Sequence, residues 1–179
     1  VAGRARVVSG AGAGVGGAGA TVLRGRCLPY GRGVTYWPVV EMVMAETGIT
    51  RADEHEAALE KLDSWLGGLF EDAQQLPAVR SRMAVMMGLL TPAVGMPDTI
   101  AARIDREIGW GIRQCLDAIA RQGPLIVVVD DLQWAEPPVV ATFEQLIERT
   151  PDMPRLLFCN GRPEFLEAGR DWGAGQANA

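Results

Sequence analysis

Apolar positions along this chain alternate between short, unbroken β-branched runs and longer stretches that recur at three and four residues. That rhythm predicts strands separated by helices. Ala5 to Ser9 reads as a strand running into the glycine-alanine tract Gly10 to Ala20. Thr21 to Cys27 is a second strand, ended by Pro29 and the Gly31–Gly33 turn. A helix opens at Trp37-Pro38, with Pro38 at its first position and Val39, Val40, Val43 and Met44 on one side. Thr50-Arg-Ala-Asp53 has capping-box-like spacing and predicts the start of another helix, whose apolar positions are Ala58, Leu62, Trp65, Leu66 and Leu69. Arg80 to Leu90 reads as a helix closed by Thr91-Pro92.

The clearest helix has Asp98 as its expected N-cap. Ile104, Ile108, Ile112, Leu116 and Ile119 form one stripe along it, and Gln122-Gly123-Pro124 stops it. Leu125–Val129 is a bare apolar run of the kind found in a strand buried on both faces of a parallel sheet. Glu136-Pro137-Pro138 starts one more helix, with Val140, Phe143, Leu146 and Ile147 on its buried side. Arg155 to Asn160 is the last strand. Strands alternating with helices predict an α/β fold, a three-layer sandwich around a mostly parallel sheet.

Composition narrows the function classes. With 179 residues, 48% hydrophobic and 22% charged, the chain can bury the core of one domain and is not a disordered segment. A net charge of −5 offers no basic stripe for phosphate backbones, which argues against direct nucleic-acid binding. Cys27, Cys115 and Cys159 lie far apart without metal-ligand spacing, as reduced, buried thiols of a cytoplasmic protein would. No stretch of eighteen apolar residues occurs, so no membrane span is expected. Val7 to Leu23 is too rich in glycine to serve as the apolar core of a signal peptide.

The strongest chemical feature is Leu125-Ile-Val-Val-Val-Asp130-Asp131. A buried strand that ends in two acids delivers carboxylates to the carboxyl edge of the sheet, where α/β proteins bind ligands. In a nucleotide triphosphatase the first acid helps hold Mg²⁺ and the second orients or deprotonates the attacking water. The same two residues also suit a simple cap at a solvent-exposed strand end.

Three segments, RGRCLPYGRGVTYWPVVEMV, DDLQWAEP and LLFCNGRPEFLE, together resemble the P-loop ATPase modules of the AAA+/STAND type. These modules occur in bacterial multidomain regulators, next to adenylate/guanylate cyclase or LuxR-type domains. The resemblance runs from about Thr21 to Glu167. It implies a P-loop NTPase-like fold, ATP or ADP with Mg²⁺ as cofactors, Asp130 as the magnesium ligand and Asp131 near the hydrolytic water. It further implies that Asn160 positions water or the γ-phosphate and that Arg162 touches the phosphate chain, although a surface-turn arginine fits Arg162 equally. The resemblance also sets the Asn160 strand between the first strand and the Asp130 strand.

The phosphate cradle departs from that pattern. The tract SGAGAGVGGAGATVLRG stands where G-x-x-x-x-G-K-[ST] is expected, and Gly12, Gly14, Gly16 and Gly17 are its candidate phosphate-binding positions. Gly17 takes the lysine's place and Ala18 that of Ser or Thr. Lys61, one lysine against sixteen arginines, lies in a later amphipathic helix. Thr21 leaves no room for the helix that should follow the loop, so the fold is expected to be incomplete there and at the C-terminal lid. A dinucleotide fingerprint also matches, at Gly12-x-Gly14-x-x-Gly17, but a strand follows at once and carries Arg24 and Arg26 in place of an acid.

The remaining candidates have plainer readings. His55 among Asp53, Glu54 and Glu56 reads as a solvated face, Trp37 and Trp134 as packing anchors, and Met83, Met86 and Met87 as core. The expected organisation is one ATPase-like domain, 1–168, with its glycine-rich loop region in 1–20, a helical segment at 50–122 and the two acidic and polar motifs within 125–162. A frayed tail, 169–179, follows. The expected function is a nucleotide-binding regulatory ATPase module with impaired hydrolysis, partnered by nucleotide and by other domains or chains, including copies of itself. The alternative is a non-enzymatic interaction module that uses a bare sheet face and binds no nucleotide.

Overall fold

The computed structural model describes residues 19–29, 35–72, 74–91, 98–148 and 153–162. Three strands, β1 (Thr21–Arg26), β2 (Leu125–Asp130) and β3 (Arg155–Cys159), form a parallel sheet in the order β1-β2-β3. Thr21 pairs with Leu125 and Leu125 with Arg155, so partners share a face along the whole ladder. Backbone bonds from Cys27 N to Asp130 O and from Asn160 N to Val129 O extend both ladders past the strand ends. The expected strand Ala5–Ser9, the glycine tract, the Gly31–Gly33 turn and the tail 169–179 lie outside the described residues.

Among the described residues, five helices connect the strands: α1 (Trp37–Thr47), α2 (His55–Leu69), α3 (Leu76–Met86), α4 (Asp98–Gln122) and α5 (Pro137–Glu148). Both crossovers step the same way across the sheet, and right-handed connections place both on one face. Packing agrees with this, because α1 lies on β1 and α5 on α4. Leu23, Leu125, Val127 and Val129 point into this layer and are buried against residues of α1, α4 and α5. Burial of this kind contributes about 1.5–3 kcal/mol for a large aliphatic side chain. The other face carries Val22, Arg24, Ile126, Val128, Asp130, Leu156 and Phe158, with Leu156 57% and Phe158 37% exposed.

Most expected elements are present, with informative shifts. α1 starts at Trp37 with Pro38 in its first turn and ends at Gly48, whose φ of 68° closes the helix. α3 runs from Leu76, not Arg80, because Pro77 opens it, and it ends at Met86 just before Gly88 at φ 72°. The expected capping box at Thr50–Asp53 is a separate turn. Thr50 N donates to Asp53 Oδ2 at 2.7 Å, while α2 begins only at His55 and has no side-chain cap. The same carboxyl oxygen also accepts from Lys61 Nζ at 2.8 Å, and that ammonium reaches Gly48 O at 3.0 Å, so α2 ties this turn to the end of α1. β3 stops at Cys159, one residue before the expected end.

The other smaller readings divide. Met83 and Met86 are core and Met87 packs against it, His55 is exposed, and Trp37 packs against the core as expected. Trp134 is no packing anchor. It ends a short 3₁₀ turn, Leu132–Trp134, and is 36% exposed.

Candidate functional site at the carboxyl edge of the sheet

Parallel pairing sends the carboxyl ends of all three strands to one edge, and the residues that follow them gather there. Asp130 ends β2 with its side chain only 13% exposed. Asp131 follows in the left-handed region, at φ 59° and ψ 41°. A non-glycine residue rarely holds that conformation, and aspartate is among the few that tolerate it. The conformation leads directly into the 3₁₀ turn, where Trp134 N donates to Asp131 O at 2.9 Å.

β3 brings its own end alongside. Leu132 N donates to Asn160 O at 2.9 Å, and Asn160 N to Val129 O at 2.8 Å. Gln133 then bridges the two segments: its Nε2 donates to Asp131 Oδ1 at 3.2 Å and its Oε1 accepts from Arg162 N at 3.1 Å. Asp130, Asp131, Asn160 and Arg162 therefore share one edge of the sheet. Gly12, Gly14, Gly16 and Gly17 lie outside the described residues.

Residues that the sequence reading gave no place in the site complete the arrangement. Arg24 Nη2 lies 2.7 Å and its Nε 2.8 Å from Asp130 Oδ2. Arg26 Nε stands 3.5 Å from Asp131 Oδ2. On the α1 side, Glu41 Oε2 accepts the backbone N–H of Arg26 at 2.8 Å and so covers the outer edge of β1. Cys27, next along, is buried, and burial followed by the charges of Asp131, Glu41 and Asp130 pushes its thiol up to about 12. The visible signal for the arginines was the alternation Arg24-Gly25-Arg26, which puts two cations on one face of a strand.

Among the described residues, no group of three or more His, Cys, Asp or Glu is arranged to hold a metal ion. Between β1, α1 and α4, a cavity of about 20 Å³ lined by Leu23, Val39, Val43, Ile112 and Leu116 has space for little more than one water. No helix among the described residues is long and apolar enough to cross a membrane.

The parallel α/β topology is consistent with a P-loop NTPase-like fold, and comparison with known proteins agrees. No curated protein and no solved structure matches the chain. Residues 2–159 match the family described as the AAA ATPase domain. With most of its length inside that match, the chain belongs to the AAA ATPase domain family.

Proposed function

We propose that the chain is an ATP- or ADP-binding regulatory module of a bacterial signalling or transcriptional regulator, acting in the cytoplasm with impaired hydrolysis. An AAA ATPase domain is a nucleotide-binding domain. Regulation would follow from a difference in affinity for the nucleotide between two arrangements of attached domains or chains. In this reading Asp131 and Asn160 face the hydrolytic water, Arg162 the phosphate chain and the four glycines the phosphates. Asp130 is the residue that a magnesium ion would use.

The position of Lys61 carries the claim of impaired hydrolysis. As the sole lysine it is the only candidate for the ammonium group that reaches β- and γ-phosphates. It is tied to Asp53 and to Gly48 O, at the end of α1 remote from β1's carboxyl edge. The 11 residues of α1 separate the two places by roughly 16 Å. Magnesium does not fit the acid pair as it stands, because the carboxylates of Asp130 and Asp131 are engaged by Arg24, Arg26 and Gln133.

Calorimetric titration of ADP and ATP, beside an Asp130→Ala variant and a turnover assay, tests this. The expected result is binding tighter than about 100 μM, about −5.5 kcal/mol, without appreciable turnover. A clear turnover that disappears in Asp131→Asn would overturn the claim of impaired hydrolysis. Silence at millimolar nucleotide in a folded sample would overturn nucleotide binding. It would leave the interaction-module reading, which Leu156 and Phe158 favour by standing exposed on the second sheet face.

A further inference from the structure

The two carboxylates that end β2 meet two cations supplied by β1. Arg24 and Arg26 flank Gly25, so both stand on the face of the sheet that also carries Asp130. Register aligns Arg26 with Asp130 itself. Arg24 lies one pleat back and reaches diagonally forward, placing Nε and Nη2 at 2.8 and 2.7 Å from the same carboxylate oxygen. Arg26 turns outward to Asp131 Oδ2, and Gln133 takes Asp131 Oδ1. Three of the four carboxylate oxygens in the pair are thus engaged by side chains.

These contacts differ in weight. Asp130 is only 13% exposed and Arg24 57%, so their short, charge-assisted bonds are shielded from solvent on the carboxylate side. The Arg26–Asp131 contact is longer, and both side chains are about half exposed. A magnesium ion demands near-octahedral oxygen ligands and gives up its waters reluctantly. To take Asp130 it must either displace a guanidinium from a largely buried carboxylate or sit beside that positive charge. Glu41 Oε2 is held by the backbone N–H of Arg26.

We infer that Arg24 and Arg26 are the resident cations of the Asp130–Asp131 pair, standing where a divalent metal would sit and deciding whether the site admits one. The consequence for nucleotide, binding that is indifferent to Mg²⁺, rests on the proposed nucleotide-module function. The exclusion of the metal does not, so the test is made without nucleotide.

Mn²⁺ serves as the probe, followed through the electron paramagnetic resonance signal of the free ion as it is titrated into the full chain. The wild type is expected to leave the ion free into the millimolar range. The Arg24→Met/Arg26→Met double variant is expected to bind at least about tenfold more tightly. That gain should vanish when Asp130→Asn is added. Should the double variant fail to fold by circular dichroism, Arg24→Gln alone carries the comparison, because more than half of the Arg24 side chain is exposed. A wild type that binds Mn²⁺ as tightly as the arginine variants, or a folded variant that gains nothing, would overturn the inference. A failure of nucleotide binding leaves this readout untouched.

Discussion

The Cβ that Gly25 lacks would lie 2.0 Å from the carbonyl oxygen of Pro38. β1 and the first turn of α1 therefore touch backbone to backbone, and this contact fixes how close the helix comes to the end of the strand that bears Arg24 and Arg26. The neighbour is main chain in a proline-started helix turn, so no side chain can swing away to make room. Gly25→Ala is expected to cost about 1–3 kcal/mol, as overpacking does. Urea unfolding should show the midpoint falling with little change in slope. An unchanged midpoint would mean that α1 slides freely over β1.

Asp105 predicts a pH dependence of stability. Burial raises its carboxyl above the ordinary range; the hydrogen bond from Tyr36 opposes that shift and the charge of Glu136 adds to it. The folded state then holds the proton more tightly than the unfolded chain does. The group's contribution to stability is present at acid pH and is lost as pH rises through its raised folded value. Asp105→Asn keeps a carbonyl oxygen toward Tyr36 Oη and removes the charge. Its melting temperature should exceed that of the wild type at pH 7, and the two should converge near pH 3.

The three thiols should be inert in the folded protein. Burial pushes Cys159, like Cys27, up to about 12, and raises Cys115 as well. Since the thiolate is the nucleophile, a disulfide reagent at pH 8 meets almost none of it. No rapid reaction is expected in native buffer, with all 3 cysteines reacting in denaturant. Rapid labelling of Cys27 in native buffer would show that the end of β1 opens readily.

Legibility in the sequence followed the range of the interactions. β2 could be read because five consecutive apolar residues admit little else, and α4 because its stripe continues through many turns. Asp130 and Asp131 could be placed at an edge because they follow such a strand directly. Their partners could not. Arg24 and Asp130 are 106 residues apart, and only the register of two strands brings them together. The turn at Asp53 was hidden because the bond from Thr50 N–H to Asp53 that marks a capping box also closes a free-standing turn, one that Lys61 reaches from α2. The start of α3 was misplaced although Pro77 marks it, because the apolar stripe becomes regular only further along.

Asp131 carries a backbone demand beneath its proposed chemistry, and substitution can separate the two. Its left-handed backbone costs an ordinary L-residue about 1–2 kcal/mol, while asparagine and aspartate visit that region more readily. An amide oxygen in Asp131→Asn can still accept from Gln133 Nε2, so the link to Arg162 survives. Asp131→Ala loses that link and pays the backbone cost as well. The expected order of melting temperatures is therefore wild type close to Asp131→Asn, with Asp131→Ala lower by about 1–2 kcal/mol of stability. Equal losses in the two variants would assign the effect to the Arg26 ion pair, the one partner that neither replacement can keep.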